Sequence, residues 1–187
     1  PLPTTRNVYA ARRLEAWVNL LPANALLIVL LSGGASAHLC SPAPGLTLDD
    51  IVHATRTLQH AGADIHELNC IRRHCETLKG GGLARIAAPR STVTYILSDV
   101  IGDPLHDIAS GPTVPDPTTR AEALAIANKY NLTAIANFLS GTSREHAAAL
   151  LLQSRTRIIA SNRLVARAVS DDLRSRGFAS ITEAAVI

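Results

Sequence analysis

Three groups of residues in this sequence have types and spacing suited to chemistry on an anion. The first is Ser32-Gly33-Gly34-Ala35-Ser36. Paired glycines let backbone N–H groups converge, and a helix starting behind them adds a positive dipole, so the run suits a phosphate or a carboxylate. It is neither GxGxxG nor GxxxxGKS, which removes the dinucleotide fingerprint and the Walker loop. A plain structural turn explains the same residues. The second group is Asn69, Arg72, Arg73 and Lys79, which recur along one helix whose opposite face is apolar. They make a polar wall, and Gly80-Gly81-Gly82 follows Lys79 directly, as if the backbone had to clear a ligand. An ordinary solvated helix face is the competing reading. The third is Asp99 in Ser98-Asp99-Val100-Ile101-Gly102-Asp103, continuing to Asp107, Ser110-Gly111-Pro112-Thr113 and Asp116. A carboxylate there could accept a hydroxyl proton or hold Mg²⁺, and a turn-capping role is equally open. Asp103 is the secondary metal candidate.

The elements that must position these groups are legible from periodicity. Arg6–Leu21 carries Val8, Ala11, Leu14, Trp17, Val18 and Leu21 on one helical face, closed by Pro22. Ala25–Leu31 reads as a buried strand running into the glycine turn, and its seven residues fall far short of the roughly 20 needed to span a bilayer. Thr47 with Asp50 predicts an N-cap for a helix with Leu48, Ile51, Val52, Thr55 and Leu58 inside. Asp64 caps the next helix, whose inner face is predicted as Ile65, Leu68, Ile71 and Cys75. Thr92–Leu97 and Arg157–Ala160 are further strands. Helices are expected near Ala121–Tyr130, Thr133–Leu139 and Glu145–Gln153, and after the cap Ser161-Asn162, with another strand starting in the final residues. Strands alternating with helices give an α/β fold: a three-layer α/β/α, Rossmann-like, doubly wound and mainly parallel sheet. In such sheets ligands bind beyond the carboxyl ends of the strands, where Asp99 lies.

Composition bounds the rest. A chain of 187 residues fits one domain. With 47% hydrophobic and only 3% aromatic residues, helices packed on a sheet are favoured over an aromatic-rich sandwich. A net charge of +3 without a basic stripe gives no nucleic-acid footprint. Cys40, Cys70 and Cys75 have neither CxxC nor zinc spacing and read as thiols in a reducing, cytoplasmic setting. The chain starts at Pro1 and contains no Met, so it is expected to be a segment of something longer.

Six strings stand in order: Leu31-Ser32-Gly33-Gly34-Ala35-Ser36-Ala37, Gly62 to Asn69, Ile71-Arg72-Arg73-His74, Lys79-Gly80-Gly81-Gly82-Leu83-Ala84, Ser98 to Asp103, and Ile108 to Asp116. In this order the chain resembles the glycerate 2-kinases that carry a MOFRL domain at their carboxyl end. The resemblance implies that residues 1–187 are most of the amino-terminal α/β domain, with its start, an expected cleft lysine, the MOFRL domain and an expected arginine outside the chain. It implies transfer of the γ-phosphoryl of ATP to the 2-hydroxyl of D-glycerate, with Mg²⁺, and little activity from these residues alone. Asp99 would be the base or hydroxyl-orienting residue. Ser32, Gly33, Gly34 and Ser36 would cradle an anion, and Asn69, Arg72 and Lys79 would line the same cleft. Departures from the family pattern are Pro1-Leu2-Pro3-Thr4 in place of a His-Pro-x-Pro-Asp string, Cys75-Glu76 in place of Leu-Ser, and His38 in place of Leu. The alternatives are hydroxypyruvate reduction, which the missing GxGxxG disfavours, and a non-catalytic anion-binding module.

Overall fold

The computed structural model describes residues 2–141 and 154–179. The β-branched and leucine-rich runs form β1 (Leu26–Leu31), β2 (Ser91–Ser98) and β3 (Ser154–Ser161), all parallel and in the order β1-β2-β3. Parallel neighbours need long crossovers, and helices supply them. α2 (Ala35–His38), α3 (Leu48–His60), α4 (Ile65–Cys75) and α5 (Gly82–Ala87) lie between β1 and β2. A 3₁₀ turn (Ile108–Ser110), α6 (Arg120–Lys129) and α7 (Thr133–Gly141) follow β2, while α1 (Thr5–Leu20) precedes the sheet and α8 (Asn162–Ser175) follows it. The fold is therefore α/β, a parallel sheet flanked by helices. The helix expected at Glu145–Gln153 and the strand expected in the last residues lie outside the described residues.

Local signals explain the helix starts. Thr47 and Asp50 form a reciprocal capping pair on α3, Asp64 and Glu67 do so on α4, and Ser161 Oγ accepts from Leu164 N–H at the start of α8. Arg90, which the sequence reading passed over, donates to the carbonyls of Leu21 and Pro22 and to Ala87, closing the carboxyl ends of α1 and α5 together. One core is helical, with Ile51, Leu58, Ile71, Ala127, Ile135 and Leu139 meeting between α3, α4, α6 and α7. A second joins α1, β1 and α5 through Ala11, Val18, Leu27, Leu78 and Leu83. The three cysteines are free and buried. No helix among the described residues is long and apolar enough to cross a membrane.

Several expectations need correction. β1 reads from its sequence as a buried strand, yet only Leu27 is buried; Leu26, Ile28 and Leu30 on its other face are 56%, 57% and 75% exposed. Ile65 and Trp17, assigned to inner helix faces, are exposed because they sit at the edge of their helices' packed stripes. The apolar-against-polar division of α4 also fails, since Asn69, Arg72, Arg73 and His74 are as buried as Leu68 and Ile71. The triple glycine makes room for the protein's own backbone: Gly81 takes a left-handed conformation (φ 79°) as the cap of α5, and a Cβ on Gly82 would collide with the Thr77 carbonyl.

Candidate functional site

Because β1, β2 and β3 run in the same direction, the loops leaving their carboxyl ends share one edge of the sheet. β1 delivers Ser32-Gly33-Gly34, β2 delivers Asp99, and β3 delivers the Ser161 cap of α8. Leu31 pairs with Ile96, so the two first loops begin nearly level. Asp99 then lies against the glycine turn: its carboxylate fills the space that a Cβ on Gly33 would need. Gly34 follows with φ 80°, a left-handed conformation that turns the chain into α2. The structure thus brings Asp99 and the Ser32–Ser36 loop into direct contact. Asp103 sits farther along, with its carboxylate 3.5 Å from Arg163 of α8. Among the described residues no group of three or more His, Cys, Asp or Glu side chains could hold a metal ion.

Behind the loop stands α4. Lys79 is buried with its Nζ 2.6 Å from Glu76 Oε1, and it donates to the Ser36 carbonyl at 2.6 Å. Burial depresses the Lys79 pKa, opposed by the neighbouring Glu76 carboxylate. Arg72 is only 8% exposed, and among the described residues it makes neither an ion pair nor a hydrogen bond. Burial lowers its pKa too, against the pull of Glu76. Cys40 lies in the same cluster, its thiol pushed up to about 12 by burial and by Glu76, and so stays neutral. Arg72 and Lys79 share the Glu76 carboxylate in this cluster, and the mostly buried Arg72 guanidinium, which makes no ion pair or hydrogen bond among the described residues, can pair with a bound anion.

Asn69 and Ser36 meet through a third residue. Ser110 Oγ donates to Asn69 Oδ1 at 3.1 Å and approaches Ser36 Oγ at 3.4 Å, while Asn69 Nδ2 donates to Asp107 Oδ1 at 3.1 Å. Ser110 occupies a strained turn, with Ala109, Ser110 and Gly111 all at positive φ (54°, 58° and 62°). The carbonyls of Ser110, Gly111 and Pro112 accept from Gly80, Gly81 and Leu83 N–H groups, which holds the turn in place. Arg73 braces it from beneath, bonding the His106 carbonyl and Asp107 and standing 2.8 Å from Asp116. Of the sequence-derived candidates, Ser36, Asn69 and Lys79 are therefore linked by contacts, Asp99 joins through Gly33, and Arg72 shares the charged cluster.

Glu76, Asp107 and Ser110 were missed as organisers of this site. Glu76 broke the family string and was the available signal; Asp107 and Ser110 stood in the third group of residues, but their contacts with Asn69 depend on a turn whose backbone angles no spacing encodes. Arg73 proves to be a brace. A cavity of about 420 Å³ between α1 and β1 lies apart from this chemistry, lined by apolar side chains including Leu14, Trp17, Leu27 and Leu30.

Residues 1–140 match the family described as Domain of unknown function (DUF4147). A glycerate kinase of Danio rerio is 48% identical over 131 residues, which are 70% of this chain and 26% of that protein. A protein of Agrobacterium vitis carrying a hydroxypyruvate reductase name is 45% identical over 132 residues, 71% of this chain and 30% of that protein. Among solved structures, glycerate kinase from Thermotoga maritima superposes with a TM-score of 0.85 at 31% identity, covering 95% of this chain and 43% of that one. The chain thus spans less than half the length of these relatives. With the family match running across most of its length and the fold shared with a solved glycerate kinase, this chain belongs to the DUF4147 family, in the company of the glycerate kinases it resembles.

Proposed function

We propose that this chain is most of the amino-terminal α/β domain of a glycerate 2-kinase, which transfers the γ-phosphoryl of ATP to the 2-hydroxyl of D-glycerate. The observation that carries the reading is the seating of the Asp99 carboxylate on Gly33, which places a proton acceptor directly on an anion-accommodating loop. Phosphoryl transfer asks a protein for positioning and charge stabilisation rather than a covalent nucleophile. Asp99 accepts the hydroxyl proton or orients that oxygen as it attacks phosphorus. Backbone N–H groups of the Ser32–Ser36 loop hold an anionic group of substrate or nucleotide, and Arg72 supplies the buried positive charge. Asn69 and Lys79 keep the loop in register from behind. ATP brings the transferred group, and Mg²⁺ would neutralise its phosphates. The described residues do not by themselves form a cation cage, and Asp103 is engaged by Arg163, so no step here runs through the ion. Three free thiols suit a cytoplasmic setting.

The test is ADP formation dependent on D-glycerate, measured on this chain extended to the full length of its relatives. Activity is expected there and not in the 187 residues alone. Oxidation of NADH by hydroxypyruvate without ADP formation would establish the reductase reading instead. In the extended enzyme, Asp99→Asn lowers kcat by roughly 10²–10⁴-fold with an unchanged melting temperature, the range for losing a positioned proton acceptor. Near-normal kcat refutes the role given to Asp99.

A further inference from the structure

We infer that Glu76 is a positioning residue for the anion site: through Lys79 it fixes the Ser36 carbonyl, and with it the Ser32–Ser36 loop. The inference rests on the anion-binding reading of that loop. Glu76 is 3% exposed and uses both carboxylate oxygens, Oε1 on Lys79 Nζ at 2.6 Å and Oε2 on the Ser41 N–H at 3.2 Å. Its own backbone bridges to Pro42, and the adjacent Cys75 carbonyl accepts from Ala43 N–H. Glu76 therefore grips the segment that leaves α2, while Lys79 grips Ser36 in its first turn.

Two of the three donors of the Lys79 ammonium are committed within the protein. Its ammonium is enclosed and divided between a carboxylate and a carbonyl, each at 2.6 Å. A second carboxylate, Glu15, tightens the same segment by accepting from the hydroxyls of Ser41 and Thr77. Arg72 is left as the cation of the cluster with no ion pair or hydrogen bond among the described residues. The clamp gives the two basic residues separate tasks: Lys79, in the turn after α4, shapes the loop, and Arg72, on α4, meets the anion.

The experiment measures inorganic phosphate binding by titration calorimetry, with melting temperature in parallel, for the 187-residue chain and three variants. Arg72→Met should weaken phosphate binding while leaving the melting temperature unchanged or raised, since it removes a mostly buried charge that makes no ion pair or hydrogen bond among the described residues. Glu76→Gln should lower both, because Lys79 loses its counter-charge. The deciding variant is the double change Glu76→Gln with Lys79→Met. Removing both charges relieves the buried imbalance and recovers most of the melting temperature. Phosphate affinity stays about tenfold weaker than in the unchanged chain, the size expected for losing one charge-assisted hydrogen bond to the loop. A merely structural pair would recover both quantities together, and affinity restored with stability overturns the clamp. If the unchanged chain binds phosphate and Arg72→Met does not affect it, the division of tasks is wrong. If the unchanged chain fails to bind phosphate, the anion-site reading falls, and the clamp falls with it.

Discussion

On α4, Asn69, Arg72, Arg73 and His74 are between 1% and 8% exposed, whereas on the outer face of β1 Leu26, Ile28 and Leu30 are 56% to 75% exposed. Each region reverses the usual placement of its residue types. The difference lies in what the side chains meet. Arg73 has Asp107, Asp116 and the His106 carbonyl around it, and Asn69 has Ser110 and Asp107. Burial of Asn69 and Arg73 is matched by specific partners, whereas Arg72 makes no ion pair or hydrogen bond among the described residues. The leucine face of β1 has no matched partner among the described residues and adds little to their stability. An apolar strand face of that kind is a surface for contact.

The sharpest way to break the comparison is Arg73→Ala. It removes the cation beside the buried Asp116 carboxylate, which keeps its hydrogen bonds from Thr118, and unties Asp107 from the strained turn, with an expected loss of about 3–5 kcal/mol, measured by urea unfolding. A loss within surface-mutation range would show the wall to be loosely held.

A smaller effect is expected from pH. Burial lowers the His74 pKa below the ordinary 6.5, outweighing the raising influence of Asp116. Below that value the unfolded chain takes up a proton that the folded chain refuses, so stability declines as pH falls from 6.5 toward the depressed folded value. Unfolding followed between pH 7.5 and pH 5.5 should show the decline, and His74→Gln should flatten it; an identical slope in the variant assigns the effect elsewhere.

The smallest change belongs to the other region. Leu30→Ser on the exposed face should alter stability by no more than about 0.5 kcal/mol in the same unfolding measurement. A cost like that of a buried leucine would mean that the face is covered in solution.

Strand and helix positions were legible because they follow from local pattern: alternation or apolar runs for β1, β2 and β3, and reciprocal caps at Thr47 and Asp64 for α3 and α4. The glycine turn and Asp99 could be placed at the same edge because parallel strands leave no other arrangement. Burial on α4 was not legible. Helical periodicity assigns one face to the core, and Arg72 and Arg73 fall on the face that periodicity gives to water; only the packing of the 3₁₀ turn and α6 against that face reverses the assignment. The exposed face of β1 was hidden for the converse reason, since a run of leucine, isoleucine and valine reads as buried whatever stands beside it.

The sequence alone determined the α/β class, the three strands and the helices flanking them apart from α5, the family, and the residue types gathered for anion chemistry, because these depend on neighbours in the chain. The tertiary structure decided which of those residues face a ligand and which face one another. Lys79 became a clamp on Ser36, Arg73 a brace beneath the turn, and Arg72 the cation with no ion pair or hydrogen bond among the described residues, because charge pairing and burial are settled by contacts between distant segments.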